Sequence, residues 1–143
     1  MEMIKTGVLS RHLVFEREYV DEEERSVTLS FSSEEPVERW FGNEVLSHSP
    51  ESVNLDRLNS RSPLLWNHNP DDQIGVVETA SIENGRGVAK VRFSKSERGQ
   101  EMFADVLDGV RGNVSVGYVI DELEERGERD FVATRWTPHE ISL

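Results

Sequence analysis

From Ser26 to Ser32 apolar and polar residues alternate, Val27, Leu29 and Phe31 against Ser26, Thr28, Ser30 and Ser32. Side chains of an extended backbone point to opposite faces in turn, so this period of two predicts a half-buried strand. The period returns after residue 112, where Val114, Val116, Tyr118 and Ile120 alternate with Asn113, Ser115 and Gly117. Helical spacing is clear only once: Met102, Phe103, Val106, Leu107 and Val110 recur at intervals of one, three and four within residues 97–110. A chain so patterned is mostly β with one good helix, and its 143 residues are close to the modal size of a single domain. A small barrel or sandwich is expected, undivided over 1–143.

Local signals place the remaining elements. His12 to Phe15 reads as the partner of the first strand across the charged turn at residues 21–25, and residues 38–42 fall in a polar stretch. Ser49-Pro50, a serine N-cap followed by proline at the first helical position, predicts a short helix to about Leu58. The apolar run Leu64-Leu65-Trp66 ends in a turn rich in Asn, Pro and Asp over residues 67–72. Residues 74–80 and 87–93 flank Asn84-Gly85, a strong hairpin signal. Ser94 and Glu97 resemble a capping box for the helix, with Gly112 as its C′ residue. Pro138 separates a strand at residues 130–136 from a final strand, His139 to Leu143.

The absence of cysteine excludes disulfide scaffolds, thiolate nucleophiles and cysteine-bound zinc or iron–sulfur sites. Sixteen basic against 28 acidic residues give a net charge of −12, which repels phosphate backbones, so nucleic acid is not an expected partner. The acidic runs at residues 21–24 and 121–125 read as solvated loops. No apolar stretch approaches the ~18 residues of a membrane span, and the N-terminus lacks the apolar core of a secretory signal. A soluble, cytosolic protein is the expectation. Metal-paired histidines and phosphate-binding glycine loops are also missing from the sequence, so no metal or cofactor is expected.

A cysteine-free enzyme of this kind would need a hydroxyl nucleophile, a base within reach of it and a third group orienting that base. The histidines are His12, His48, His68 and His139. His68 falls in a turn after an apolar strand, where a side chain can project into a cleft. Ser115 lies early in a strand, and Gly117 beyond it leaves space for a substrate backbone to come close. Glu140 belongs to an otherwise apolar terminal strand that can hold its carboxylate. Alternation there puts Ile141 and His139 toward the core and Glu140 and Ser142 on the other face. Each residue also has a plainer reading: a structural turn histidine, a packing serine, and an edge charge that blocks aggregation.

Taken together, Leu64-Leu65-Trp66-Asn67-His68 with Ile74-Gly75, Asn113-Val114-Ser115-Val116-Gly117-Tyr118 and Glu140-Ile141-Ser142-Leu143 resemble the prohead (capsid maturation) serine proteases of tailed bacteriophages, relatives of the herpesvirus assemblins. The resemblance runs from about Thr28 to the end of the chain. It implies an α+β, mainly β fold: a small, mostly antiparallel barrel flanked by helices. It implies Ser115 as nucleophile, His68 as general base and acid, and Glu140 as the orienting group, where herpesvirus relatives use a second histidine. Arg111, Gly112 and Asn113 are the candidates for the oxyanion site. The implied substrates are scaffold and capsid segments and the protease itself, inside a procapsid assembling in the host cytoplasm, and a homodimer is compatible with the family. Relatives usually continue beyond the Glu-Ile-Ser-Leu strand, which implies truncation or processing at Leu143, and in some the protease is joined to the capsid or scaffold protein. Two other functions stay open, a non-catalytic assembly module with the protease fold and an esterase or amidase with the same triad; the latter lacks a Gly-x-Ser-x-Gly elbow.

Overall fold

The computed structural model describes residues 7–14 and 17–143. Strands β1 (Val8–Val14), β2 (Arg17–Asp21), β3 (Ser26–Ser32), β4 (Val37–Arg39) and β5 (Gly42–Leu46) precede a single 3-10 turn, Leu58–Ser60. Then come β6 (Pro63–Trp66), β7 (Asn69–Glu83), β8 (Arg86–Phe93), helix α1 (Glu97–Leu107), β9 (Asn113–Glu125) and β10 (Asp130–Ser142). All ten strands join one sheet in the order β1-β9-β10-β6-β7-β8-β3-β2, with the β4–β5 hairpin attached to β10 through β5.

This corrects the expected helix-flanked barrel. Among the described residues the sheet is open, running from β1 to β2 without a closing pair, and it is mixed, because β10 lies parallel to both β5 and β6. Among the described residues α1 is the one α-helix. The segment expected to be helical after Ser49 is instead pinned to β10. Trp136 donates its N–H to Ser52 O at 2.9 Å, and Asn54 N–H donates to Trp136 O at 3.0 Å. The Ser52 carbonyl and the Asn54 N–H, committed to those partners, are withdrawn from any helical ladder there, and a single i to i+4 bond forms further on, from Asn59 N–H to Leu55 O.

Where two-residue periodicity was strong, the expected faces appear. Val27, Leu29, Phe31, Val114, Val116 and Tyr118 have no exposed surface and pack with Trp136, Phe93, Leu64 and Ile141 in a common core. Strand β3 is not half-buried, however, since Ser26, Ser30 and Ser32 are covered as well. Its neighbours also differ from expectation: β2 and β8 flank it, while His12 to Val14 pair with β9, and Phe15 lies outside the described residues. The polar stretch near residue 40 is the β4–β5 hairpin. The β7–β8 hairpin turns at Asn84-Gly85 as expected, both with positive φ.

Helix α1 is shorter than its periodic pattern. Its N-cap is Ser96, whose Oγ accepts from Gly99 N–H at 3.1 Å, while Ser94 Oγ accepts from Ser96 N–H one step earlier. It ends at Gly109 rather than Gly112. Gly109 takes φ 77°, donating to Val106 O, and Val110 donates to Asp105 O, the paired closure of a Schellman motif.

Candidate active site

Three elements bring the candidate residues together. Ser115 sits on β9 between β1 and β10, opposite Ser142. Its alternation partners Val114 and Val116 are in the core, so the serine faces the other way and is 7% exposed. His68 is the second residue of a tight turn joining β6 to β7. The turn spans only Asn67 and His68, because Trp66 already pairs with Asn69, and Pro70, Asp71 and Asp72 continue the strand. Both turn residues have positive φ, 52° and 57°, a conformation that asparagine tolerates well.

That turn is tied to the end of β10. Asn67 N–H donates to Leu143 O at 2.8 Å, and Leu143 N–H donates to Leu65 O at 3.0 Å. His68 N–H donates to Ser142 Oγ at 2.7 Å, and Ser142 Oγ–H donates to Leu65 O at 3.1 Å. Ser142 thus holds the backbone of the histidine turn. Nothing in its residue type announces this, although alternation places it on the face of Glu140.

Glu140 reaches this face through a bulge. Pro138 pairs with Tyr118 and Glu140 with Gly117, so His139 is an extra residue on β10. Strand β10 therefore runs through Pro138, which does not separate two strands. Without the extra residue Glu140 would fall opposite Val116, on the core face. His139 leaves the ladder, and its carbonyl accepts from Arg57 Nε–H at 2.7 Å and Ser62 Oγ–H at 3.1 Å. Ile141 and Ser142 then resume alternation, with Ile141 fully buried.

The result is a continuous hydrogen-bonded series. His68 Nδ1 contacts Glu140 Oε1, and His68 Nε2 lies 2.6 Å from Ser115 Oγ. With the carboxylate on Nδ1, the neutral ring carries its proton there and accepts the serine hydroxyl proton at Nε2. The histidine and glutamate side chains are 32% and 17% exposed, so the pair is shielded but reachable. Space near Gly117 is not left for substrate: a β-carbon there would sit 2.5 Å from Glu140 Oε1.

His68 and Ser115 line a cavity of about 190 Å³ together with Arg111, Asn113 and Leu143. The Arg111 guanidinium lies 3.6 Å from the centre of the Trp66 ring, and its Nε is buried without a hydrogen-bond partner. Gly112 is exposed between Arg111 and Asn113. Among the described residues no cluster of His, Asp or Glu is arranged to hold a metal ion. His48 lies elsewhere: it is buried, its Nδ1–H donates to Leu46 O, and its Nε2 accepts from Ser32 Oγ–H, each at 2.8 Å. No helix of the described residues is long and apolar enough to cross a membrane.

In overall structure the chain is similar to a phage protease, the capsid assembly protease of bacteriophage T4. The match covers 95% of this chain and 97% of that one with a TM-score of 0.62 and 10% identity, and at that identity it shows the fold: a phage capsid protease-like fold. In sequence the chain is similar to the major capsid protein of Halomonas phage phiHAP-1, 46% identical over 123 residues, or 80% of this chain and 20% of that protein. The chain therefore spans a fifth of that capsid relative's length. No family model matches.

Proposed function

We propose that this chain is a serine endopeptidase of phage capsid maturation, with Ser115 as nucleophile, His68 as general base and acid, and Glu140 orienting the imidazole. The observation that carries the reading is the series Glu140–His68–Ser115, with the serine at a cavity. His68 Nε2 takes the proton as Ser115 Oγ attacks a peptide carbonyl, and the same proton goes to the leaving amine as the acyl-enzyme forms. Water, deprotonated by His68, then releases the acyl group. Glu140 holds the Nδ1–H tautomer and stabilises the imidazolium of each step. The tetrahedral oxyanion needs donors beside Ser115. The unpaired Arg111 Nε–H and the backbone N–H groups at Gly112 and Asn113 are assigned to it, a donor being worth about 3 kcal/mol of barrier.

The substrates proposed are scaffold and major capsid polypeptides and the chain carrying the protease itself, within a procapsid in the bacterial cytoplasm. The similarity to a fifth of a capsid protein supports this, since a protease joined to its capsid protein meets its cleavage site in cis. The same similarity favours a second reading, an assembly module of this fold that binds capsid subunits without cutting them.

Labelling by a fluorophosphonate, in which Ser115 Oγ displaces fluoride from phosphorus, separates the two. The protease reading expects labelling at Ser115 that is lost in Ser115→Ala and His68→Ala, together with precursor cleavage reduced about 10⁶-fold in each and hardly further in the double variant. Glu140→Gln is expected to reduce turnover about 10⁴-fold, and His139→Ala to act mainly on stability. A folded wild-type chain that neither labels nor cleaves is the assembly module. One that cleaves p-nitrophenyl esters but no peptide is an esterase.

A further inference from the structure

We propose that the cleft bounded by Arg61, Arg92 and Lys95, outside the Ser115 cavity, docks an acidic segment of a polypeptide. The cleft holds about 560 Å³ along β7 and the end of β8, with Gln73, Val76 and Ser94 also on its walls. A second cleft of about 320 Å³ shares Arg61, Val76 and Arg92 but carries Glu78 on its wall, so the lining that favours anions is that of the first. No acidic residue lines the first cleft, although the chain carries a net charge of −12.

The three cations are not equivalent. Arg92 Nε–H is held by Glu78 Oε1 at 2.6 Å. Among the described residues the side chains of Arg61 and Lys95 have no hydrogen-bond or ion-pair partner, and both are exposed. Arg61 stands at the end of the 3-10 turn with φ 62°, and its side chain is on the wall of both clefts. On so acidic a chain, two unpaired cations in one cleft make a local site for anions.

Their number argues for a peptide rather than a nucleic acid. Affinity for a phosphate backbone grows with the number of phosphates that Lys and Arg neutralise, and two free cations offer little against repulsion from the rest of this molecule. Two free cations match two carboxylates on an extended chain. The place fits a polypeptide as well: Gln73 and Gly75 pair with Leu65 and Leu64, and His68 follows Leu65 by three residues. At about 3.3 Å per residue, the cleft begins roughly 10 Å along the hairpin from the histidine turn. A polypeptide held here keeps its neighbouring residues within reach of Ser115, while docking itself does not depend on cleavage.

The test is fluorescence anisotropy of a fluorescein-labelled peptide containing four glutamates, titrated with the full chain carrying Ser115→Ala so that nothing is cut. Binding is expected at low salt, about tenfold weaker in Arg61→Glu/Lys95→Glu and about tenfold weaker for the same peptide with glutamines. Lys95→Glu alone, a change at an exposed side chain, should show part of the loss. The proposal is overturned if the charge-reversed chain binds equally, if the glutamine peptide binds equally, or if a single-stranded oligothymidylate binds the cleft more tightly than the glutamate peptide. Because the assay reads binding, it stands or fails apart from the protease reading, which fluorophosphonate labelling decides.

Discussion

At the residue scale the site depends on what is missing at position 117. Glu140 lies opposite Gly117, and its carboxylate occupies the volume that a β-carbon would fill, 2.5 Å from Oε1 and 3.3 Å from Cδ. The obstacle is the far end of a flexible side chain, so Gly117→Ala is expected to leave the fold intact and push the carboxylate off His68 Nδ1. Under the protease reading turnover should then fall about 10²-fold or more, the cost of an ångström of misplacement, with KM little changed. Steady-state kinetics beside a thermal melt checks this; full turnover in a folded variant would leave Gly117 without a positioning role. The residues His68, Ser115 and Glu140 are individually weak signals in sequence, and only the three segments read together select them. The roles of Gly117 and Ser142 were not legible, because each acts through a partner more than 20 residues away: the glycine through Glu140, the serine through the His68 N–H.

At the element scale, periodicity identified strands and missed how they are held. The β4–β5 hairpin shows no alternation strong enough to find, and it is locked by charge. Glu44 is fully buried, accepting from Arg11 at 3.2 Å and Arg39 Nε–H at 3.0 Å, with the Tyr118 hydroxyl bonded to Oε1. Burial raises the Tyr118 pKa, with the bond to Glu44 adding to it, so the phenol stays protonated and donates. Arg11 also donates to Glu35 O and Glu44 O, each at 2.7 Å, tying β1 to the hairpin. Glu44→Gln keeps the shape and removes the one anion between two guanidinium groups. A buried charge left uncompensated costs about 3–5 kcal/mol, so urea unfolding should show a loss of that order; a loss under about 1 kcal/mol would mean that water reaches the cluster. The bulge at His139 was likewise hidden. Pro138 reads as a strand break in sequence, whereas in the fold it continues the strand and the extra residue after it turns Glu140 to the site.

At the scale of the whole molecule, alternation tells which side of a strand is covered but not which strand lies beside it, so an open mixed sheet and a closed barrel look alike in sequence. The neighbours are decided by long-range pairs such as Trp136 with Val53 and Ile141 with Leu64. One such junction, where β3 and the second residue after β5 meet over Trp136, is expected to make the stability of the whole chain depend on pH. His48 is buried there, 5.3 Å from the Trp136 ring, donating to Leu46 O and accepting from Ser32. Burial lowers its pKa below the ordinary 6.5, outweighing the opposing bond to Leu46 and the nearby Glu34. The folded state therefore keeps this ring neutral where the unfolded chain takes up a proton, so the stabilisation is present above the ordinary histidine value and is lost as pH falls through it toward the lowered folded value. Carboxylates, whose ordinary values lie near 4, are still ionised in most of that window, so relief of the −12 charge does not mask the effect. Urea midpoints should thus drop between pH 7 and pH 5.5 in the wild type. His48→Gln, whose amide can still donate to Leu46 and accept from Ser32, should start less stable at pH 7 but lose less on acidification. Equal losses in the two proteins would assign the acid sensitivity to other groups.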